Sequence, residues 1–320
     1  MDKGRFYTNR RNIVLLAILC CALWGSAFPC VKVEYSMFKI AQGDIASKLI
    51  LAGYRFTMAG IFVLIFQIIA KKKIFQYNKK EFGEITLLGI AQTAIQYGFF
   101  YVGMSYASGI SGSIVNGTGT FFSVIIAHFV YKNDRINFNK ALGCIVGFLG
   151  VVIVNLRGDL SLNGGFRFIG EGFIILAAFI TSASGIYGKK ISQNKDASIV
   201  TGYQLFIGGA ILTICGFIFN GRLYGFNFKS TLLLIYMALL SSVAFSIWSE
   251  LLKYNKVGNI AMFNFLTPVF GTLFSGIFLG ENIWDIRILI ALVLVCLGIF
   301  LVYRVKGEKD VTNRQTEENI

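Results

Sequence analysis

Apolar stretches of about twenty residues alternate with short polar segments along almost the whole chain. A helix that crosses about 30 Å of hydrocarbon needs about 20 apolar residues, because each residue adds about 1.5 Å. Transmembrane β-strands would instead show short segments of alternating hydrophobicity. The pattern therefore predicts an all-α polytopic membrane protein with ten transmembrane helices, called spans below. The predicted spans are 13–31, 49–70, 85–106, 110–131, 138–156, 169–188, 198–219, 231–253, 258–280 and 286–303.

The composition agrees with a membrane protein and excludes an ordinary water-soluble one. Charged residues make up 14% of the 320 residues and hydrophobic residues 55%, whereas a soluble domain carries about 25% charged residues. The six cysteines lie in or beside apolar stretches and lack the spacing of metal ligands, so neither disulfides, a metal site nor a cofactor is predicted. They are Cys20, Cys21, Cys30, Cys144, Cys215 and Cys296.

The net charge of +14 is spread over short basic clusters between the apolar stretches, such as Lys71–Lys73. Nucleic-acid binding would need one basic face or stripe, so the lipid bilayer, not a nucleic acid, is the predicted partner. With both termini on the cytoplasmic side, that side holds 21 of the 30 Lys and Arg residues. Positive charge favours the cytoplasmic side, which predicts cytoplasmic termini and a multi-pass protein of the bacterial cytoplasmic membrane.

Span four and span nine resemble each other across the midpoint of the chain. Each has an asparagine (Asn116 or Asn264) four residues before a helix-perturbing site, then an apolar run and an acidic residue. We therefore predict two five-helix repeats, residues 1–156 and residues 157–320, the second ending in a short charged cytoplasmic tail. Five crossings are an odd number, so the second copy must be inverted. Inverted repeats place a substrate site near the midplane and allow alternating access.

Three motifs in this order give the chain a family resemblance. They are Trp24-Gly-Ser-Ala-Phe-Pro29, Tyr54-Arg-Phe56, and a segment from Trp248 through Pro268 to Glu281. The chain resembles the ten-helix EamA-type transporters of the drug/metabolite transporter superfamily. This resemblance implies inverted five-helix repeats and the export or exchange of small metabolites, often amino acids. One departure is that Thr120 stands where the first repeat would match Pro268, which leaves open whether span four bends as span nine does.

Charged and titratable side chains inside spans are the usual markers of function, and this chain has few. Arg55, placed a little over one turn into span two, is predicted to attract a substrate carboxylate in the outer vestibule. The alternatives are a snorkelling anchor, or a structural partner of Glu34 or of the carbonyl end of a helix. His128 and Glu250 are candidates for proton coupling. The alternatives are a hydrogen-bonded structural histidine and, for Glu250, a local salt bridge with Lys253.

Uncharged polar and aromatic side chains are predicted to line the substrate cavity, because they can hold a zwitterion without a large desolvation penalty. The alternative for each is hydrogen bonding between helices. With Arg55, the predicted substrate-binding residues are Trp24, Gln96, Tyr97, Asn116, Tyr187, Trp248 and Asn264.

Small residues and a proline mark candidate hinges. Gly117 and Gly119 allow local unwinding of span four, and Pro268 removes a backbone hydrogen bond in span nine. Gly143 and Gly147 form a small-x3-small pattern in span five, which favours packing within the bundle and leaves a homodimer contact as the alternative.

The sequence thus predicts a secondary transporter, not an enzyme, for a small polar metabolite, first of all an amino acid. Alternating access around a central polar cavity would export or exchange it. The alternatives are an exchanger of phosphate-bearing metabolites, which would need more buried Lys or Arg, and a membrane protein without transport activity.

Overall fold

The computed structural model describes residues 3–155, 167–280 and nine separate residues between 286 and 301, and all regular secondary structure in this part is helical. The thirteen α-helices are α1 Lys3–Thr8, α2 Arg10–Met37, α3 Ile45–Ile69, α4 Lys79–Gly89, α5 Gln96–Tyr106, α6 Gly109–Asn116, α7 Gly119–Val130, α8 Phe138–Asn155, α9 Phe173–Ser192, α10 Ala197–Ile218, α11 Phe228–Tyr254, α12 Val257–Ala261 and α13 Leu266–Leu279. Short π-helical segments, Ile90–Ile95 and Phe168–Gly172, and a 3₁₀ segment, Met262–Phe265, continue into α5, α9 and α13.

Eight continuous helical segments in the described part of the chain are long and apolar enough to cross a membrane. They match predicted spans one to four and six to nine. Predicted span five corresponds to α8, Phe138–Asn155, within which Phe138–Gly150 is an apolar helical stretch of the described residues. Predicted span ten lies almost entirely outside the described residues, so the total of ten stays a prediction.

Polar side chains at the ends of the apolar runs fix where the helices begin. A capping side chain accepts hydrogen bonds from backbone N–H groups that have no partner within the helix. Asp44 does so for α3, which therefore begins at Ile45, one turn before the predicted start of span two. The capping residues of this kind include Asn9, Asp44, Asn78, Ser108, Asp196 and Asn227.

The loops gather at two opposite faces of the bundle. The N-terminal face comprises α1 and loops 70–78, 131–137, 193–196 and 255–256; the opposite face comprises loops 38–44, 107–108 and 219–227. At the N-terminal face, Lys3 lies 3.5 Å from Glu250. At the opposite face, the Ser47 hydroxyl donates to the Arg222 carbonyl at 2.8 Å. Successive spans therefore run in opposite directions. The basic clusters lie at the N-terminal face, which we predict to be cytoplasmic.

The helices pack in reciprocal pairs. Helices α3 and α10 pack against each other along most of their length. Helix α2 packs on α11 and α13, and its counterpart α9 packs on α5 and α7. Helix α10 contacts α4 as α3 contacts α11. When each helix is replaced by its counterpart in the other half, α2–α11 becomes α9–α5, α2–α13 becomes α9–α7, and α3–α11 becomes α10–α4. The pair α3–α10 is its own counterpart.

The crossing of α3 and α10 is built on glycines that repeat in the two helices. A Cβ on Gly53 would meet the Gly209 backbone, and a Cβ on Gly60 would meet the Gly202 backbone. Gly53-Tyr-Arg and Gly202-Tyr-Gln are equivalent tripeptides, each followed by a second glycine seven residues after the first. Small residues at a crossing let two helix backbones approach closely, and here the approach is the same at both ends.

Spans four and nine are both broken near their predicted asparagines. Helix α6 ends at Asn116, and α7 begins at Gly119 after a turn at Gly117. In span nine the 3₁₀ segment Met262–Phe265 makes the break, and Pro268 sits in the first turn of α13, where proline is tolerated. Span four therefore breaks without a proline. The break predicted at Pro268 is displaced towards the start of span nine.

The small residues of α8 pack inside the chain. A Cβ on Gly147 would meet the Phe265 ring at 2.8 Å. Gly298 lies against the backbone of Gly143 and Gly147. The small residues Gly143 and Gly147 thus pack against other helices of the same chain, as the sequence analysis predicts. Formation of a homodimer stays a prediction.

Candidate functional site

A cavity of about 130 Å³ lies between the two sets of spans and extends from the middle of the bundle to the N-terminal face. One water needs roughly 10–15 Å³ measured in this way, so about ten waters, or a solute of about ten non-hydrogen atoms, would fit. The lining runs from Arg55, deep in α3, to Ser192 and Val257 at helix ends. Towards the opposite face, the buried rings of Phe28 and Phe100 pack 5.7 Å apart.

The structure brings most of the predicted binding residues to this one cavity. Those that line it are Trp24, Arg55, Gln96, Tyr97, Asn116, Trp248 and Asn264, with the predicted hinge residue Gly119. Their roles in substrate binding remain predictions.

Arg55 lies deeper than the sequence pattern suggested. Because α3 begins at Ile45, Arg55 is ten residues, or about 15 Å, along the helix. Arg55 is 1% exposed, so the predicted placement in an outer vestibule was wrong. Its Nε donates to the Ser241 hydroxyl at 2.9 Å, and its Nη1 donates to the Tyr101 hydroxyl at 3.2 Å. These contacts hold a positive charge at the deep end of the cavity, in the middle of the bundle.

An aromatic wall follows Arg55 towards the N-terminal face. The rings of Trp24 and Trp248 meet edge to face with centroids 5.0 Å apart, and Phe245 lies 5.5 Å from Trp24. Tyr97 stands between Phe245 and the arginine, with its ring centroid 6.0 Å from the Arg55 Cζ. Aromatic faces attract cations such as a substrate ammonium group.

Amide side chains from both halves complete the lining. Asn116 ends α6, and Asn264 lies in the 3₁₀ segment of span nine, so both amides stand where a helix is interrupted. Gln204, outside the predicted site set, occupies in α10 the position equivalent to Arg55 in α3. Its buried Oε1 has no hydrogen-bond partner among the described residues. The repeated Gly-Tyr-x tripeptide is the sequence signal that identifies Gln204.

The charged residues in the described lining are Arg55 and Lys189, and none is Asp or Glu. Lys189 follows the end of predicted span six, but the helix continues to Ser192. Its ammonium donates to the Asn255 carbonyl and lies 5.3 Å from the Tyr131 ring centroid. The cavity therefore has a positive group at each end, which suits a solute that carries a negative charge.

Tyr187 does not line the cavity. Its side chain packs against a hydrophobic cluster formed by Ile85, Leu88, Ile191 and Val200. Gly185 and Gly188 of the same helix do line it. Successive residues of a helix point about 100° apart, so these neighbours face the cavity while Tyr187 turns away.

The two predicted coupling residues also lie outside the cavity. The His128 Nδ1, in the last turn of α7, accepts a hydrogen bond from the Ile136 backbone N–H at 3.0 Å. This contact holds the loop that follows α7. Glu250 accepts from the Ser198 hydroxyl at 3.0 Å and pairs with Lys3. The alternative salt bridge with Lys253 was wrong, because Lys253 donates to a carbonyl of loop 193–196.

Comparison with known proteins agrees with this fold. The pattern of the EamA-like transporter family matches residues 11–156 and 168–304. A probable amino-acid metabolite efflux pump of Salmonella typhimurium is 24% identical over 304 residues, which cover 89% of this chain and 93% of that protein. The uncharacterized transporter YoaV of Bacillus subtilis is 23% identical over 291 residues, covering 90% and 96%.

A solved crystal structure superposes with a TM-score of 0.74 and 17% sequence identity, covering 93% of this chain and 98% of that one. This similarity concerns the fold alone. The family pattern, by contrast, covers both halves of the chain and includes the motifs around Trp24, Arg55 and Pro268. The chain is a multi-pass membrane protein that belongs to the EamA-like transporter family.

Proposed function

We propose that the protein is a secondary transporter, not an enzyme, that exports or exchanges a small carboxylate-bearing metabolite, first of all an amino acid, across a bacterial cytoplasmic membrane. The observation that carries the proposal is the cavity itself. Arg55 supplies a buried cation for the carboxylate, and the aromatic wall and the amides of Asn116 and Asn264 offer contacts for an ammonium group. The similarity to an amino-acid metabolite efflux pump supports the same class of substrate.

Reciprocal packing of the helices supports a mechanism of alternating access between two inverted halves. The cavity reaches the N-terminal face, which the basic clusters predict to be cytoplasmic. In this conformation a substrate would enter from the cytoplasm and meet Arg55 at the inner end. Rocking of the halves would then close this path and open one to the opposite face.

Counterflow in liposomes tests this function. Purified protein is reconstituted, loaded with one unlabelled L-amino acid at a time, and assayed for uptake of its labelled form with and without a pH gradient. We expect accumulation for a subset of amino acids and none for the matching amino-acid amides, which lack the carboxylate. Absence of counterflow for all twenty would refute the proposal.

Arg55→Gln tests the role of the buried cation. A hydrogen bond to a charged group contributes about 1.5–3 kcal/mol, so the apparent KM should rise roughly 10- to 150-fold with little change in melting temperature. Arg222→Gln is the matched control, because Arg222 is exposed in a loop of the opposite face and should leave transport unchanged. An Arg55→Gln variant with the wild-type KM would exclude Arg55 as the carboxylate site.

The position of Lys189 in the cavity lining supports a second candidate class of substrate. With Arg55 it gives the cavity two cations and no described acidic residue, which also suits a phosphate-bearing metabolite. Sugar phosphates and inorganic phosphate therefore belong in the same counterflow panel. Exchange of phosphate compounds without any amino acid would replace the first proposal with this one.

A further inference from the structure

Glu34 is a buried acidic residue that has no role in the site described above. Glu34 lies on α2, one turn from the helix end at the opposite face, and its side chain is completely buried. Neither of its carboxylate oxygens has a hydrogen-bond partner among the described residues. It does not line the cavity, which ends at Arg55.

Among the residues that the structure describes, one cation acts on Glu34. Arg55 of α3 acts on the carboxyl electrostatically but is not within the 4.0 Å of an ion pair. The other titratable groups that face it are Tyr101 of α5 and, on α2 itself, Cys30 and Tyr35. Helices α6 and α13 contain no charged residue, and α11 carries its charges at its ends.

An ionised carboxylate in this position would be buried without a hydrogen bond or a contacting counter-ion. Burying an unpaired charge costs several kcal/mol, and such a group takes a proton instead. In the conformation described here, the neutral acid is therefore the form that the surroundings of Glu34 accommodate. In the same conformation Arg55 donates hydrogen bonds to Ser241 and Tyr101 and lines the cavity.

We propose that Glu34 couples substrate binding to a proton, because its carboxylate and that of the substrate compete for Arg55. When Glu34 is protonated, Arg55 is available to the substrate. When Glu34 loses its proton to the aqueous phase, its carboxylate pairs with Arg55 and displaces the substrate. Substrate binding to the paired form thus takes up one proton at Glu34, and substrate release returns it.

This competition has a consequence for the direction of transport, and it rests on the function proposed above. Net movement of a substrate carries one proton in the same direction, whereas exchange of one substrate for another carries none. Where the proton gradient points inward, net export by this cycle would work against the gradient. The competition therefore favours exchange over net export.

Infrared spectroscopy of the reconstituted protein tests the protonation without any substrate. We expect a carboxylic-acid C=O band in the wild type that fades as the pH rises and is absent from Glu34→Gln. In Arg55→Gln the band should persist to higher pH, because the pairing cation is gone. Glu250→Gln is the matched control: Glu250 is also buried but is paired with Lys3, so its loss should leave the band unchanged.

Counterflow tests the coupling with the amino acid that gives the largest signal in the panel. The wild-type apparent affinity should weaken by up to tenfold per pH unit above the midpoint of the infrared band, whereas Glu34→Gln should stay constant. Glu34→Asp keeps the carboxyl and should retain both the band and the pH dependence, which separates loss of the proton from loss of folding.

Three results would overturn the coupling role: no band assignable to Glu34, a band that fades at the same pH in Arg55→Gln, or equal pH dependence in wild type and Glu34→Gln. If no amino acid shows counterflow, the proposed function fails. The infrared comparison with Arg55→Gln then still decides whether the two residues are coupled.

Discussion

Replacing Gly60 with alanine tests the central packing contact of the bundle. Gly60 of α3 faces α10, and a Cβ added there would lie 2.7 Å from the Gly202 carbonyl oxygen and close to the Phe206 backbone nitrogen. This falls about 0.7 Å short of the 3.4 Å at which ordinary contact begins. The obstructing atoms belong to the backbone, so no side-chain rotation can make room and the two helices must separate.

The expected cost follows from two opposing effects. Overpacking of this kind destabilises by about 1–3 kcal/mol, while alanine is better than glycine in a helix interior by about 0.5–1 kcal/mol. Gly83→Ala isolates the second effect, because Gly83 is exposed on α4 and an added Cβ would meet nothing within 4 Å. The difference between the two variants should therefore equal the overpacking cost.

Melting temperatures in one detergent measure this difference. At roughly 2–4 °C per kcal/mol, the scale for chains of 150–250 residues, Gly60→Ala should melt at least about 2 °C below Gly83→Ala. Gly53→Ala, at the reciprocal contact with Gly209, should behave as Gly60→Ala does. Equal melting temperatures for Gly60→Ala and Gly83→Ala would refute the close crossing of α3 and α10.

Two further predictions concern charges at the N-terminal face. Asp134→Asn should lower the melting temperature, because Asp134 accepts from the Gly258 N–H at 2.8 Å and pairs with buried Lys140, and breaking a buried pair costs about 3–5 kcal/mol; adding Lys140→Gln should restore part of the loss, and no restoration would contradict this account. Burial raises the pKa of Asp196, but the hydrogen bond from Lys72, the charges of Lys3 and Lys72 and the hydrogen bond from the Ile199 backbone together outweigh it and hold that pKa below its usual value. Its contribution to stability is therefore present above about pH 4 and lost as the pH falls through the lowered pKa, so acid should destabilise the wild type more than Asp196→Asn, and equal acid sensitivity would exclude this role.

Hydropathy was sufficient for the number and order of the eight described spans, because crossing hydrocarbon demands about 20 apolar residues whatever their identity. Helix ends were less predictable, since they depend on caps. Asp44 extends α3 by a turn, which moves Arg55 deep into the bundle, and α9 continues past its apolar run, which brings Lys189 to the cavity.

Contacts between distant parts of the chain could not be predicted from local spacing. Glu250 has Lys253 three residues away but pairs with Lys3, 247 residues earlier, because α1 folds back over α11. Tyr187 shows a different limit: its residue type suited a binding site, but the face of α9 that meets the cavity depends on packing against other helices. The repeated Gly-Tyr-x tripeptide, by contrast, makes Gln204 the counterpart of Arg55 from the sequence alone.

The glycine crossing of α3 and α10 also limits how the halves can move. Because the glycines bring the two backbones close together, the distance between these helices can change little. In the proposed mechanism, the halves would therefore pivot at this crossing. Spin labels on the two helices beside the crossing should keep one separation throughout the cycle. Label pairs across the two faces should change in opposite senses, one widening while the other narrows.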